Sequence, residues 1–320
     1  MSRRFDAPVA NGGYAWWYLD AVSDDGNHGL TVIAFVGSVF SPYYARARRK
    51  HGAENVDPDN HCAINVALYD LSNNHRGINA WAMTERPKAK CRRTATTFNV
   101  GPSSLEWRGN ELTIKLDERC APIPRRLRGS ITLTPALALD AQDYTTAIDH
   151  DGNHLWQPLA PSARISLDLD HPNLAWQGHS YLDSNRGSAP LESAFTSWQW
   201  SRARLNDGST VALYDVEHTG GSRLQLAHRY VPSGESEPIT IPAHCALPTT
   251  CWGIARSTQS DGLAAPQVVT TLENGPFYAR SLLATELEGE RVHAVHESLS
   301  LKRFASPVVQ AMLTFRMPRW

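Results

Sequence analysis

The chain has no paired cysteine framework. Its five cysteines, at 62, 91, 120, 245 and 251, are odd in number and irregularly spaced, with no CxxC pair. That excludes a disulfide scaffold or a clustered zinc site and leaves reduced thiols in a cytoplasm as the expectation. A long apolar run is also missing. The longest, residues 29–40, falls far short of the ~20 residues a membrane-crossing helix needs. No apolar segment follows the basic residues of MSRRFDAPVANGGY, so neither a span nor a secretory signal is expected. Charge of one sign is not in excess: 31 Lys and Arg stand against 32 Asp and Glu, so no global field draws the chain to nucleic acid. There is no GxSxG, Walker loop, GxGxxG or HExxH, which disfavours nucleotide and cofactor chemistry. His293 and His296 form an HxxH, but in extended chain that spacing turns the two rings to opposite faces, so no metal is expected there.

Helical periodicity is scarce, and period-two alternation takes its place. Ile64, Val66 and Leu68 alternate with Asn65, Ala67 and Tyr69, and Leu112, Ile114 and Leu116 with Thr113, Lys115 and Asp117. Ile165, Leu167 and Leu169 alternate with Ser166, Asp168 and Asp170, and Trp198 and Trp200 with Ser197, Gln199 and Ser201. Each run predicts a half-buried strand. Between such runs fall Asp25-Gly26, Arg108-Gly109-Asn110, Asp151-Gly152, Asp207-Gly208 and Asn274-Gly275, which can supply the positive φ of tight hairpins. Up-and-down antiparallel sheet follows, and many short strands hide their edges best in closed barrels of the lipocalin kind. A length of 320 residues is about twice the ~150 of one domain. The expectation is therefore all-β, with two tandem lipocalin-like antiparallel β-barrels over residues 1–171 and 172–320, divided near Asp170-His171-Pro172-Asn173. Residues 41–60 read as an excursion between two early strands.

Two short motifs are candidates for chemistry: His154-Leu155-Trp156, just after a turn, and Tyr181-Leu182-Asp183 inside QGHSYLDSNRG. Residues i and i+2 of a strand project to one face, so each motif offers a pair, imidazole with indole and phenol with carboxyl. On residue types alone the commoner role of such pairs is β-core filling, and of an Asp before Ser-Asn-Arg-Gly the capping of a turn.

An ordered set of longer segments runs from near the start of the chain to its last residue: NGGYAWWYLDA at 11–21, the following GLTVIAFVGSVFSPYYARARRK, WQGHSYLDSNRG with FTSWQWSRA downstream, and FASPVVQAMLTFRMPRW at the end. Together they resemble the carotenoid 1,2-hydratases, also called hydroxyneurosporene synthases, over essentially the whole chain. The resemblance implies tandem lipocalin-like barrels and hydration of the terminal 1,2 double bond of acyclic carotenoids such as neurosporene and lycopene, without metal or organic cofactor. It implies His154, Trp156, Tyr181 and Asp183 as the residues that act.

Protonating an isolated alkene requires an acid held close to the accepting carbon. Asp183 is the expected donor, because aromatic walls around a carboxyl disfavour its charged form. Protonation at C2 leaves a tertiary cation at C1, which the faces of Trp156 and Tyr181 can stabilise by ~0.5–2 kcal/mol each. His154 is expected to orient the attacking water and return its proton toward Asp183. A substrate that resides in a bilayer also implies peripheral contact of a cytoplasmic protein with the inner or intracytoplasmic membrane. The expected contact is either Tyr43–Lys50 or the tail carrying Lys302, Arg303, Arg316, Arg319, Phe304, Phe315 and Trp320. Two rival functions remain open: a carrier of an apolar isoprenoid, for which Asp183 would sit exposed at a loop tip, and a cyclising or pericyclic enzyme on the same scaffold.

Overall fold

The computed structural model describes residues 3–72, 77–137 and 144–320, and they form an all-β protein with two compact units. Unit 1 comprises Met1–Pro190 with Gln310–Trp320, and unit 2 is Leu191–Val309.

Unit 1 begins with β1 (Tyr14–Ser23), β2 (His28–Val36), β3 (Cys62–Asp70) and β4 (Gly77–Arg86). Short strands follow at β5 (Cys91–Arg93), β6 (Thr97–Val100) and β7 (Ser103–Arg108), then β8 (Glu111–Arg119), β9 (Arg126–Pro135) and β10 (Thr146–Ala147). Two long strands complete it, β11 (His154–His171) and β12 (Leu174–Gly187). Every pairing is antiparallel, in the order β4-β3-β2-β1-β12-β11-β9-β8-β7-β6-β5 with β10 on β11, and the sheet curls into a nearly closed barrel. The predicted alternations at 64–68, 112–116 and 165–169 fall in β3, β8 and β11. Their apolar members join one core with Leu19, Leu30, Val32 and Leu182. Trp17 anchors that core, edge-on to Phe5 at 4.9 Å and to Phe98 at 5.7 Å; each such pair is worth ~0.5–1.5 kcal/mol beyond its burial.

The strands near the start of the chain differ from a half-buried sheet. β1 and β3 are buried on both faces over most of their length. Part of the cover on β1 and β2 comes from the excursion at 41–60. It is a helix, α1 (Pro42–His51), capped by Ser41, whose Oγ accepts from the Tyr43 and Tyr44 amides. Phe40, just before it, packs on Trp16 and Phe35, and Tyr44 donates to the Gly13 carbonyl at 2.7 Å.

The turn glycines act as expected at Gly26, Gly109, Gly152 and Gly208, all at positive φ. Gly275 is not among them. The Asp170–Asn173 stretch forms the reversal between β11 and β12, whereas the compact units divide after Pro190. Unit 1 is completed by the last residues of the chain. The Pro318 carbonyl accepts from the Glu85 amide, and the Trp320 amide donates back to the Glu85 carbonyl at 3.1 Å. This pairs the outer edge of β4 at Glu85, whose backbone groups would otherwise be unpaired there. The Arg319 guanidinium bonds the Glu85 carboxylate, which His61 also meets at 2.8 Å.

Unit 2 contains β13 (Phe195–Arg204), β14 (Thr210–His218), β15 (Arg223–Tyr230), β16 (Ser236–Pro238), β17 (Ala243–Leu247), β18 (Arg256–Ser260), β19 (Gln267–Asn274), β20 (Tyr278–Leu287) and β21 (Glu290–Ser300). Seven of these strands pair as β16-β15-β14-β13-β21-β20-β19, and β17 and β18 form a separate ribbon. Ala203, Leu213, Leu283 and Ala294 belong to its apolar core. Farther along the same face of β13 and β21, Ser201 meets His296 Nδ1 at 2.7 Å, His296 Nε2 meets Ser298 Oγ at 3.1 Å, and Ser298 donates to Gln199 Oε1 at 2.6 Å. His293 is exposed and His296 buried, on opposite sides of β21. No cluster of three or more His, Cys, Asp or Glu suited to a metal occurs among the described residues, and all five cysteines are free thiols.

Candidate active site

Strands β11, β12 and β1 lie side by side, and their register decides which distant residues meet. Tyr14, Trp16, Tyr18 and Asp20 of β1 stand opposite Gly187, Asn185, Asp183 and Tyr181 of β12. On the other flank of β12, His154, Trp156 and Pro158 stand opposite Gly187, Asn185 and Asp183. Because alternate residues share a face, all these side chains project to one side of the sheet, opposite the side on which Trp17, Leu19 and Leu182 enter the barrel core. The face is aromatic and polar, and its members are buried nonetheless.

Asp183 is at its centre, in the middle of β12 and 2 % exposed. Its Oδ2 accepts two hydrogen bonds, from Trp156 Nε1 at 2.9 Å and from the Tyr181 hydroxyl at 2.9 Å. Both donors are fully buried and neutral. Each lends Oδ2 the partner that an unsolvated carboxyl needs, and together they fix its orientation. With two donors on Oδ2, a proton carried by this carboxyl resides on Oδ1. Three of the four predicted residues are thus brought into direct contact.

His154 belongs to the same face but to another row. It stands opposite Gly187, four residues along β12 from Asp183, a separation of ~13 Å at ~3.3 Å per residue. Its Nδ1 lies 2.9 Å from the Tyr14 hydroxyl, and the two rings stack with centroids 5.8 Å apart. Burial and, secondarily, the charge of Asp149 push the Tyr14 phenol well above its ordinary range. The phenol therefore stays protonated, and by donating to Nδ1 it leaves the imidazole proton on Nε2. Gly187 makes this meeting feasible. A Cβ on it would stand 2.5 Å from Tyr14 Cε1 and 2.7 Å from His154 Nδ1.

Tyr14, Tyr18, Asp20 and Asn185 join the face without having stood out in the sequence. A signal for two of them existed: Tyr-Leu-Asp occurs twice, at 18–20 and 181–183. The Tyr18 hydroxyl donates to Asp20 Oδ2 at 3.1 Å, repeating the bond of Tyr181 to Asp183, and Asp20 is fully buried. Asn185, between Trp16 and Trp156, has an amide nitrogen with no hydrogen-bond partner among the described residues.

A cleft of about 330 Å³ opens at the Tyr14 end of this face, lined by Tyr14, Trp16, Asn153, Asn185 and Gly187 among others. It reaches the row next to Asp183 without including Asp183 itself. A larger hollow of about 920 Å³ lies elsewhere in unit 1, ringed by Arg86, Lys90, Arg119 and Arg126. Its rim of charged side chains, Asp117 among them, suits an apolar chain less well than aromatic walls do, so the aromatic face is the better candidate for a hydrocarbon substrate.

The family described as carotenoid hydratase CrtC matches residues 32–320. The chain is 53% identical over 317 residues to an acyclic carotenoid 1,2-hydratase of Thiocapsa roseopersicina, covering 99% of this chain and 75% of that protein. It is 46% identical over 316 residues to the enzyme of the same name from Rubrivivax gelatinosus, covering 99% and 76%. A crystal structure of a Nitrosomonas europaea protein shares the fold with a TM-score of 0.64 at 14% identity, covering 90% of this chain and 92% of that one.

Proposed function

Because this chain belongs to the carotenoid hydratase CrtC family and adds water across the 1,2 double bond of acyclic carotenoids, we propose that Asp183 is the acid that protonates C2. The observation that carries this reading is a buried carboxyl held on one oxygen by two neutral donors, Trp156 and Tyr181. A carboxyl out of water is more easily kept neutral than charged, so the resting acid holds its proton on Oδ1. Transfer to C2 uses the alkene π electrons for the new C–H bond and leaves a tertiary cation at C1. Trp156 and Tyr181 present π faces that attract such a cation by ~0.5–2 kcal/mol each. Water then adds at C1. His154, tied to Tyr14, holds the far end of the aromatic row and orients the water that enters there. The scheme draws only on groups of this chain and on water.

Asp183→Asn tests the assignment. The folded variant is expected to hydrate lycopene ~10²–10⁴-fold more slowly, the range of a lost general acid, and a normal rate would refute it. A carrier is the weaker reading, since Asp183 sits mid-strand with two dedicated donors rather than at an exposed loop tip.

Both units are read here as lipocalin-like barrels, a reading supported by the nearly closed sheet of unit 1 and by the neighbouring solved structure. Peripheral contact with the inner or intracytoplasmic membrane is proposed to run through the tail. Tyr44 and Arg48 of α1 are buried, the guanidinium 4.4 Å from the Tyr44 ring centre, so one of the two tyrosines and one of the four basic residues of that stretch are committed to packing. In the tail Phe304 is buried, Arg316 lies 3.9 Å from the Trp81 ring centre and Arg319 bonds Glu85, but helix α2 (Pro307–Leu313) exposes Val308 and Met312, and Phe315 beyond it is 82% exposed. No helix among the described residues is long and apolar enough to cross a membrane. Replacing Val308 and Phe315 by Ser is expected to weaken sedimentation with anionic liposomes, and unchanged binding would count against the tail.

A further inference from the structure

Hydration requires two proton transfers, one onto carbon and one off the attacking water, and a single carboxyl positioned for the first is poorly placed for the second. The sheet supplies another carboxyl. The two Tyr-Leu-Asp tripeptides lie antiparallel on adjacent strands, Tyr18 opposite Asp183 and Asp20 opposite Tyr181. The four side chains thus form a chequerboard on one buried face, with the carboxyls at diagonal corners. Each carboxyl is held through its Oδ2 by the tyrosine two residues away on its own strand, at 3.1 Å for Tyr18 and 2.9 Å for Tyr181. The two tyrosine rings meet edge to face with centroids 6.4 Å apart. Diagonal positions of an antiparallel pair are ~7–8 Å apart, in the range over which a paired acid and base leave room for one water. His154 is ~13 Å of strand away from Asp183.

We propose that Asp20 is the base of the hydration, taking a proton from the water that attacks C1: two buried carboxyls this near to each other share a single proton, which rests on Asp183, and the Tyr18 hydroxyl holds the Asp20 carboxylate. The proposal rests on Asp183 being the acid. Asp183 gives its proton to C2 and becomes a carboxylate. A lone pair of the water oxygen forms the C1–O bond, and one water proton passes to the Asp20 carboxylate. The proton then returns from Asp20 to Asp183, so that one water is consumed and both groups are restored. A sheet that needed only its core would gain nothing from a second buried carboxyl on this face, where an apolar pair costs less.

The experiment is hydration of lycopene in deuterium oxide enriched in heavy oxygen, with mass analysis of both the alcohol and the recovered hydrocarbon. Wild-type protein is expected to give an alcohol carrying the labelled oxygen and one carbon-bound deuterium. Asp20→Asn is expected to form alcohol at least ~100-fold more slowly, yet to return hydrocarbon bearing deuterium at C2, because protonation still occurs and the cation collapses by losing a proton. Asp183→Asn is expected to give neither product. A folded Asp20→Asn that hydrates at the normal rate, or that loses deuterium uptake along with the alcohol, overturns the role of Asp20. Deuterium uptake persisting in Asp183→Asn overturns the acid assignment instead. Should Asp20→Asn not fold, Tyr18→Phe gives the same readout. It is expected to slow alcohol formation more than deuterium uptake, and equal slowing of both overturns the proposal.

Discussion

Gly187→Ala is the most direct probe of how the aromatic face is assembled. The added Cβ would stand 2.5 Å from Tyr14 Cε1, 2.7 Å from Tyr14 Cζ and 2.7 Å from His154 Nδ1, where carbon contacts settle at ~3.5–4.0 Å. One ring must therefore move by about 1 Å, in a site where both are buried. Forcing an extra carbon into a filled site costs ~1–3 kcal/mol. Breaking the 2.9 Å bond between Tyr14 and His154 strands two buried polar groups, for a further ~1–3 kcal/mol. The sum of ~2–6 kcal/mol corresponds to a fall in Tm of roughly 4–24 °C for a unit of this size, at ~2–4 °C per kcal/mol. Thermal unfolding followed by near-ultraviolet circular dichroism measures it. Gly220→Ala is the control, since a Cβ there meets nothing within 4 Å. In a Tyr14→Ala background the Gly187→Ala penalty is expected to shrink, because the two changes share the same space. A Tm unchanged by Gly187→Ala, or a penalty identical in both backgrounds, refutes the steric account.

Trp156→Phe keeps an aromatic side chain but removes the pyrrole half of the indole, and with it the donor to Asp183. It is expected to lower stability by ~1–3 kcal/mol and to slow hydration more than it weakens substrate binding, read as a fall in kcat with little change in KM. Arg319→Ala leaves the buried Glu85 carboxylate without its guanidinium, a loss of ~3–5 kcal/mol in urea unfolding that Glu85→Gln in the same chain should partly restore. Unit 2 carries a pH prediction. Burial, with the charge of Arg256 second, pushes His296 down to about 3, below the ~6.5 of an unfolded histidine. The unfolded chain therefore binds the extra proton first, and stability present above pH 6.5 is lost as pH falls toward 3, by ~2 kcal/mol at pH 5. His296→Gln is expected to flatten that slope in the Tm of wild-type protein compared at pH 7 and pH 5.

Much of the β-structure is written in local alternation. Ile64, Val66 and Leu68 point into the core because a period of two cannot be satisfied otherwise on a pleated strand. The i, i+2 spacing likewise placed Tyr181 beside Asp183 and His154 on the face of Trp156. Pairing register is a different matter, since nothing local says that residue 18 will stand opposite residue 183. The duplicated Tyr-Leu-Asp was visible, but its meaning depends on that non-local register. The Asp170–Asn173 stretch shows a related ambiguity. Proline and asparagine have the turn chemistry of a linker and of a hairpin alike, and here they reverse β11 into β12. The return of the tail to Glu85 left no local trace, because an Arg near the end of a chain reads as solvated until its buried partner is known.

That return has a consequence for how the protein is made. Strand β4 emerges early in synthesis, but the residues that pair its edge at Glu85 follow the whole of unit 2, Leu191–Val309. At ~5–20 residues per second the nascent sheet waits roughly 6–25 s with that end of the edge unpaired and the Glu85 carboxylate lacking its guanidinium. Throughout that interval the exposed ladder can recruit the wrong strand, including one from a neighbouring ribosome. Chaperone demand during translation is thus built into the order in which this chain is written.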